Sequence, residues 1–294
     1  MKIYVILGCF LTLLFSCKES NNNKNIDSTY LGALNQNREI RAENRVNYLE
    51  LTGLFKLDST SNTFGSAESN KFVLAVKNIA QTIGRLDLSE DALWFYAEQG
   101  VKITTVDGEE IDSLALTIDT NGNSIQLFHN QLKWQVITRS GALYLRVWDL
   151  NNPAIDAFKG FESYEINSDF IFDANFSYYD RSRSESVASK LGIDEVMVFI
   201  GQVQFVYNDT PYSLEIGQEG FVMVGDLTSG ETTYGGGRYM YLELPETDGQ
   251  IRLDFNYLYN PPCAYSEYTT CLFPPRQNQL DIKIKAGELL QKRI

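Results

Sequence analysis

The chain has 294 residues, 44% of them hydrophobic and 21% charged. That composition excludes wholesale disorder, collagen and coiled coil. The formal net charge of −13 removes the electrostatic term on which nucleic-acid binding depends, so no nucleic-acid partner is expected. A single His excludes a His-rich metal site and argues against a His-dependent triad, and no metal or cofactor is expected.

Lys2 and the uncharged apolar run Ile3–Phe15 are too short for a membrane-spanning helix. Residues 1–16 read as a signal peptide. Leu14-Phe15-Ser16-Cys17 has the form of a lipobox, with Cys17 as the lipidated first mature residue. Phe15 departs from the usual small or β-branched residue. Residues 17–26 are then a polar tether. An acidic chain gains nothing from an anionic membrane surface, so the membrane is a partner through the lipid alone. Lys18 stands where Asp would favour inner-membrane retention. The expected location is therefore the cell envelope, as an outer-membrane lipoprotein, with the periplasmic and surface faces both open.

Residues 27–294 read as one β-rich domain, with a seam between two sub-sheets near 151–168. Asp27–Arg45 is the expected helix, capped by Asp27 or Ser28. From Leu49 the apolar period changes to two. Short β-type runs follow at Lys71–Lys77, Leu93–Ala97, Val101–Val106, Leu114–Ile118, Ser124–His129, Leu132–Thr138 and Ala142–Trp148. Asp107-Gly108, Asn121-Gly122 and Ser140-Gly141 supply turns. Asp169–Tyr179 alternates aromatically, and Arg181–Lys190 reads as a polar loop. Further runs are Glu195–Ile200, Val203–Tyr207, Tyr212–Ile216, Phe221–Gly225, Arg238–Leu244, Ile251–Phe255 and Leu280–Lys285. With no long helices after Arg45, parallel crossovers are not available. The expected class is all-β, mainly antiparallel, a sandwich or partly closed barrel with one short N-terminal helix.

Unusual residues gather between Gly225 and Cys271. Gly235-Gly236-Gly237 marks a hard bend or a close approach to the backbone. No P-loop is present, because neither Lys-Ser/Thr nor a helix follows. Cys9 leaves with the signal, so Cys263 and Cys271 remain, and a disulfide is expected between them in an oxidising compartment. Pro261-Pro262 and Pro274-Pro275 stiffen the loop they bracket. Pairing of the Arg238 and Asp254 strands as a hairpin about Thr247 would set Arg238 opposite Asn256. Two readings follow. One is a structural Arg–Asp pair beneath the disulfide-tied loop. The other is a ligand site: Arg238 and Asn256 as donors, Asp254 as acceptor, Asn260 at the loop's start, and Tyr234, Tyr259 and Tyr265 as a stacking wall. His129 reads as a turn residue, and Asp119-Thr120-Asn121-Gly122-Asn123 resembles a Ca²⁺ loop but is explained more simply by a hairpin turn.

The segments TSGETTYGGGRYM, LDFNYLYNPPCAYSEYTTC and NQLDIKIKAGE resemble the bacterial and archaeal family called domain of unknown function 1684. Weaker similarity lies at Asn62–Ser66 and at Arg139, Arg146 and Asp149 in ITRSGALYLRVWD, so the resemblance is expected to run from Tyr30 to Leu289. Leu272-Phe273 departs from the family's Pro-Leu. The family implies no activity, substrate or cofactor. The expected function is binding of a small molecule or glycan. The alternatives are a hydrolase, with Asp254 or Glu288 as base and Arg238 as electrostatic stabiliser, and a structural envelope protein.

Overall fold

The computed structural model describes residues 26–90, 92–192 and 194–290. Residues 1–16, expected to be a signal peptide, and Cys17 lie outside the described residues. Among those described, no helix is long and apolar enough to cross a membrane. The molecule is mostly β, with several antiparallel sheets and no closed barrel.

Helix α1 spans Ser28–Leu49. The Asp27 side chain accepts from the Tyr30 N–H at 2.8 Å, which satisfies one of the orphan donors of the first turn. The helix is longer than expected and runs one turn past Arg45. Val46 and Tyr48 carry only weak helix preference, but packing of that turn on the following sheet holds it: the Trp148 indole N–H donates to the Asn47 carbonyl at 3.0 Å.

Ten short strands follow: β1 (Leu51–Lys56), β2 (Ser61–Gly65), β3 (Phe72–Val73), β4 (Gly84–Leu88), β5 (Leu93–Ala97), β6 (Thr104–Thr105), β7 (Ser113–Ala115), β8 (Leu127–His129), β9 (Leu132–Arg139) and β10 (Ala142–Asp149). They form two five-stranded sheets, ordered β1-β10-β9-β8-β6 and β3-β2-β4-β5-β7. The β9–β10 hairpin turns through Ser140 and Gly141, both at positive φ, which matches the right-handed strand twist. Leu86, Phe95, Trp134, Val136 and Leu145 pack between these sheets. Trp134 meets Phe95 at 4.6 Å and Phe64 at 5.2 Å between ring centroids. Each ring so buried contributes about 1.5–3 kcal/mol.

Residues 150–170 carry the chain across to a second system of strands, through a five-residue helix α2 (Pro153–Ala157) that the sequence reading did not expect. Strands β11 (Ile171–Val187), β12 (Glu195–Tyr207), β13 (Thr210–Gly217) and β16 (Gly249–Asp254) form a sheet ordered β13-β12-β11-β16. Strands β14 (Phe221–Val224) and β15 (Arg238–Tyr241) pair separately. Phe172, Phe205 and Phe255 form the aromatic centre of this core, with centroids 4.9–5.8 Å apart.

Three expectations need correction here. The polar stretch 181–187 is strand, not loop. It belongs to β11, whose register slips between Tyr178 and Arg183 and then resumes against β12. Its side chains are largely exposed, so no apolar alternation betrays it, and the ladder's backbone hydrogen bonds hold it instead. Second, β15 and β16 do not form a hairpin. β15 lies between β14, where Arg238 faces Val224, and Tyr259, which exchanges both backbone hydrogen bonds with Tyr239. β16 pairs with β11. Third, residues 280–286 have the burial alternation of a strand but form no strand, and their backbone pairs only locally, with Gly225 and Leu227. Part of their backbone hydrogen bonding goes to side chains. The Ile284 and Ala286 carbonyls accept from Arg238, and the Ile284 N–H donates to Asp226.

Candidate functional site

A cavity of about 630 Å³ opens where α1, the β9–β10 hairpin and the Cys263–Cys271 loop meet. Helical spacing brings Arg41, Asn44, Arg45 and Tyr48 to one side of α1, at i, i+3, i+4 and i+7. Arg139 and Arg146 come from β9 and β10. Their partners across the hairpin are Ala142 and Gln135, so both side chains project from the same sheet face. Tyr239 and Tyr241 of β15, with Tyr259 and Tyr265 beyond it, complete an aromatic wall.

Among the described residues, no acidic one lines the cavity. Arg45 is neutralised from behind by Glu288, in a buried ion pair whose side chains are 6% and 7% exposed. Glu288 also accepts from the Asn260 backbone N–H at 2.7 Å. The Arg41 guanidinium lies 3.5 Å over the Tyr259 ring, a cation–π contact. Arg139 donates to the Thr138 carbonyl at 2.7 Å. Arg146 has a buried Nε with no hydrogen-bond partner. Burial, and then the charge of Arg139, push its guanidinium down to about 10, so it stays charged at neutral pH. Among the described residues none of Arg41, Arg139 and Arg146 forms an ion pair. Burial raises the phenols of Tyr259 and Tyr265, against the opposing pull of Arg41 and Arg45, so both remain neutral.

The rim is built by the loop after Leu258. Cys263 and Cys271 are disulfide-bonded, with Cα atoms 6.0 Å apart. The closed loop is short, and the cross-link is worth about 2–3 kcal/mol by chain entropy. It holds Tyr265, Thr269 and Thr270 against the cavity.

Of the seven sequence-designated ligand residues, Tyr259, Asn260 and Tyr265 line this cavity. The other four do not. Arg238 is wholly buried and ion-paired with Asp226 at 3.3 Å, not with Asp254. Asp254 and Asn256 do not share a strand face, because a 3₁₀ turn begins at Phe255 and ends the alternation. Instead Asp254 caps that turn, accepting from the Asn256 N–H at 3.0 Å and its side-chain amide at 2.8 Å. Asn256 also binds the backbone of Asn167 on both sides, at 3.0 and 3.1 Å. Asp254 and Asn256 are thus joined to each other, and Arg238 lies apart from both. Tyr234 lies on the glycine turn outside the cavity. That turn has a structural cause: Gly237 sits at φ 79°, and a Cβ there would come within 2.3 Å of Pro274. His129 Nε2 accepts from the Ala80 N–H and Nδ1 meets the Lys102 carbonyl, a buried bracing role. Asp119 accepts from the Asn121 and Asn123 N–H groups, closing a turn.

Arg41, Arg45, Tyr48, Arg139, Arg146 and Tyr241 were not designated from sequence. The available signals were the Arg41/Arg45 helical spacing and an Arg at position 146 within the otherwise apolar run Ala142–Trp148.

A family described as "Protein of unknown function (DUF1684)" matches residues 156–289. No curated protein matches the chain. Among solved structures, an uncharacterized protein of Haloarcula marismortui, determined by solution NMR, is 28% identical. The similarity covers 47% of this chain and 80% of that one, with a TM-score of 0.40. The matched family segment begins at residue 156, not at Tyr30. It therefore contains Tyr239, Tyr241, Tyr259 and Tyr265 of the cavity wall but none of its four arginines. Over residues 156–289, a little under half of the chain, the sequence is similar to the DUF1684 family.

Proposed function

We propose that this protein binds a small molecule or glycan that carries negative charge, in the cavity between α1, the β9–β10 hairpin and the disulfide loop. The observation that carries the reading is the set of three arginines, Arg41, Arg139 and Arg146, facing a cavity without a carboxylate in a chain of net charge −13. Guanidinium groups left without an internal counter-ion are suited to carboxylate, sulfate or phosphate, which they hold bidentately. Binding is favoured over hydrolysis because no acid reaches the cavity to act as general base. Glu288 is held by Arg45 and the Asn260 N–H, and Asp254 lies in a different groove.

Thermal-shift and calorimetric titration of the full-length chain against acidic and neutral sugars tests the proposal. Acidic sugars should stabilise the wild type, and Arg146→Gln should weaken that effect about tenfold or more, the loss of one charge-assisted contact. Equal stabilisation of wild type and Arg146→Gln by every acidic sugar would refute the site. The reading of residues 1–17 as a lipidated leader extends the proposal to the cell envelope. Intact-mass measurement finding an unmodified Cys17 would withdraw that extension.

A further inference from the structure

We infer that the ligand is an oligosaccharide bearing at least two acidic groups, carboxylate or sulfate ester, held by arginines from the N-terminal part of the chain and tyrosines from the family segment. This inference rests on the acidic-ligand reading above and specifies its charge and body.

The charge argument starts from register. Arg139 faces Ala142, and Arg146 lies four residues further along β10, opposite Gln135. One sheet face therefore carries two arginines, roughly 13 Å apart at the backbone. Both line the cavity, and the Arg139 charge is felt at Arg146. Arg41 approaches from α1 on another wall. One monovalent anion would compensate one of these charges and leave the others facing each other on a partly desolvated wall, where repulsion is weakly screened. Two acidic groups, spaced as on adjacent sugar rings, answer the arrangement.

The body argument starts from volume and from one acceptor. A cavity of about 630 Å³ is of the size that takes a drug-sized molecule, and a lone phosphate would leave most of it empty. The wall also carries Tyr48, Tyr239, Tyr241, Tyr259 and Tyr265; tyrosine rings pack against the C–H faces of pyranoses and their hydroxyls are polar tips. Asn260 adds a requirement of the opposite sign. It is 1% exposed, and its Oδ1 has no hydrogen-bond donor. Its orientation is fixed, because Nδ2 donates to the Leu289 carbonyl at 2.8 Å. Asn260 lines the cavity, and a small shift of the loop would open this acceptor to a ligand hydroxyl, which a sugar has and a bare polyanion lacks.

The test titrates the full-length chain, in mild detergent, with galacturonate, digalacturonate, a disulfated disaccharide, a neutral disaccharide and tripolyphosphate. Digalacturonate or the disulfated disaccharide should bind about tenfold tighter than galacturonate, equivalent to ~1.4 kcal/mol. That advantage should disappear in Arg146→Gln and in Arg139→Gln; the second lies at a strand end, where folding is least at risk. Equal affinity for the mono- and diacidic sugars would overturn the two-group inference and leave the acidic-ligand reading intact. Tripolyphosphate binding as tightly as digalacturonate would overturn the sugar body. Absence of binding by every acidic sugar would overturn both this inference and the function on which it rests.

Discussion

A guanidinium with no exposed surface must find all its hydrogen-bond acceptors inside the fold. Arg238 reaches Asp226 at 3.3 Å and the carbonyls of Ile284 at 3.1 Å and Glu288 at 3.3 Å, and it also donates to the Ala286 carbonyl. Asp226 in turn accepts from Thr228 and from the Ile284 N–H. Together the two side chains do for residues 284–286 what a neighbouring strand would otherwise do. Burial alone would pull the Arg238 guanidinium below its usual value, and Asp226 opposes that pull. Replacing one partner leaves the other charged, buried and alone, at a cost of about 3–5 kcal/mol. Arg238→Met should therefore lower the urea unfolding free energy by that amount, and a loss under about 1 kcal/mol would be too small for a broken buried pair. Sequence alone marks Arg238 as unusual, since it follows three glycines. It does not choose between Asp226 and Asp254 as partner, because both choices fit the spacing until strand pairing is known.

Helix α1 is held to the body by few apolar residues. Leu34 and Leu49 are its buried hydrophobics, and Arg45 is its third buried residue. Arg45 also lies 4.6 Å over the Phe161 ring, so one side chain joins α1 to Glu288 near the C-terminus and to the segment after α2. Arg45→Ala should leave Glu288 uncompensated, destabilise the protein by about 3–5 kcal/mol, and raise amide exchange in α1 before that in β11 and β12. Exchange that rises uniformly through the molecule would show that α1 is not anchored at this point. The start of α1 was legible, because Asp27 has the side chain that an N-cap requires. Its end was not, because Val46–Leu49 also suits a strand and only contact with Trp148 decides. The strands show the same division. Leu93–Ala97 is a short continuous apolar run and Leu132–Arg139 opens with apolar residues at 132, 134 and 136, so both read as strand, whereas the second half of β11 is largely exposed up to Val187 and has no pattern to read.

At the scale of the whole molecule, none of the strands of β1–β10 joins a sheet with any of β11–β16, and the buried hydrophobic clusters divide the same way, one in the first half and two in the second. The cavity could not be read from sequence for this reason. Its residues come from an N-terminal helix, a hairpin near residue 140 and a loop near residue 265, and only the packing of the two halves brings them together. Tyr259 and Tyr265 were found because prolines and cysteines mark their loop; Arg139 and Arg146 have no such marker. A ligand held by arginines from one half and tyrosines from the other is, in mechanical terms, a rivet. Two halves with little shared packing can melt as separate cooperative units, each with its own calorimetric transition. A molecule that binds only when both halves are folded raises the lower transition by mass action and draws it toward the upper. Scanning calorimetry of the free chain should resolve two transitions that merge as digalacturonate is added. If two transitions persist unmoved at saturating ligand, the halves do not share it. Merging transitions would make the bound sugar, more than any strand, the tie that turns two folding units into one.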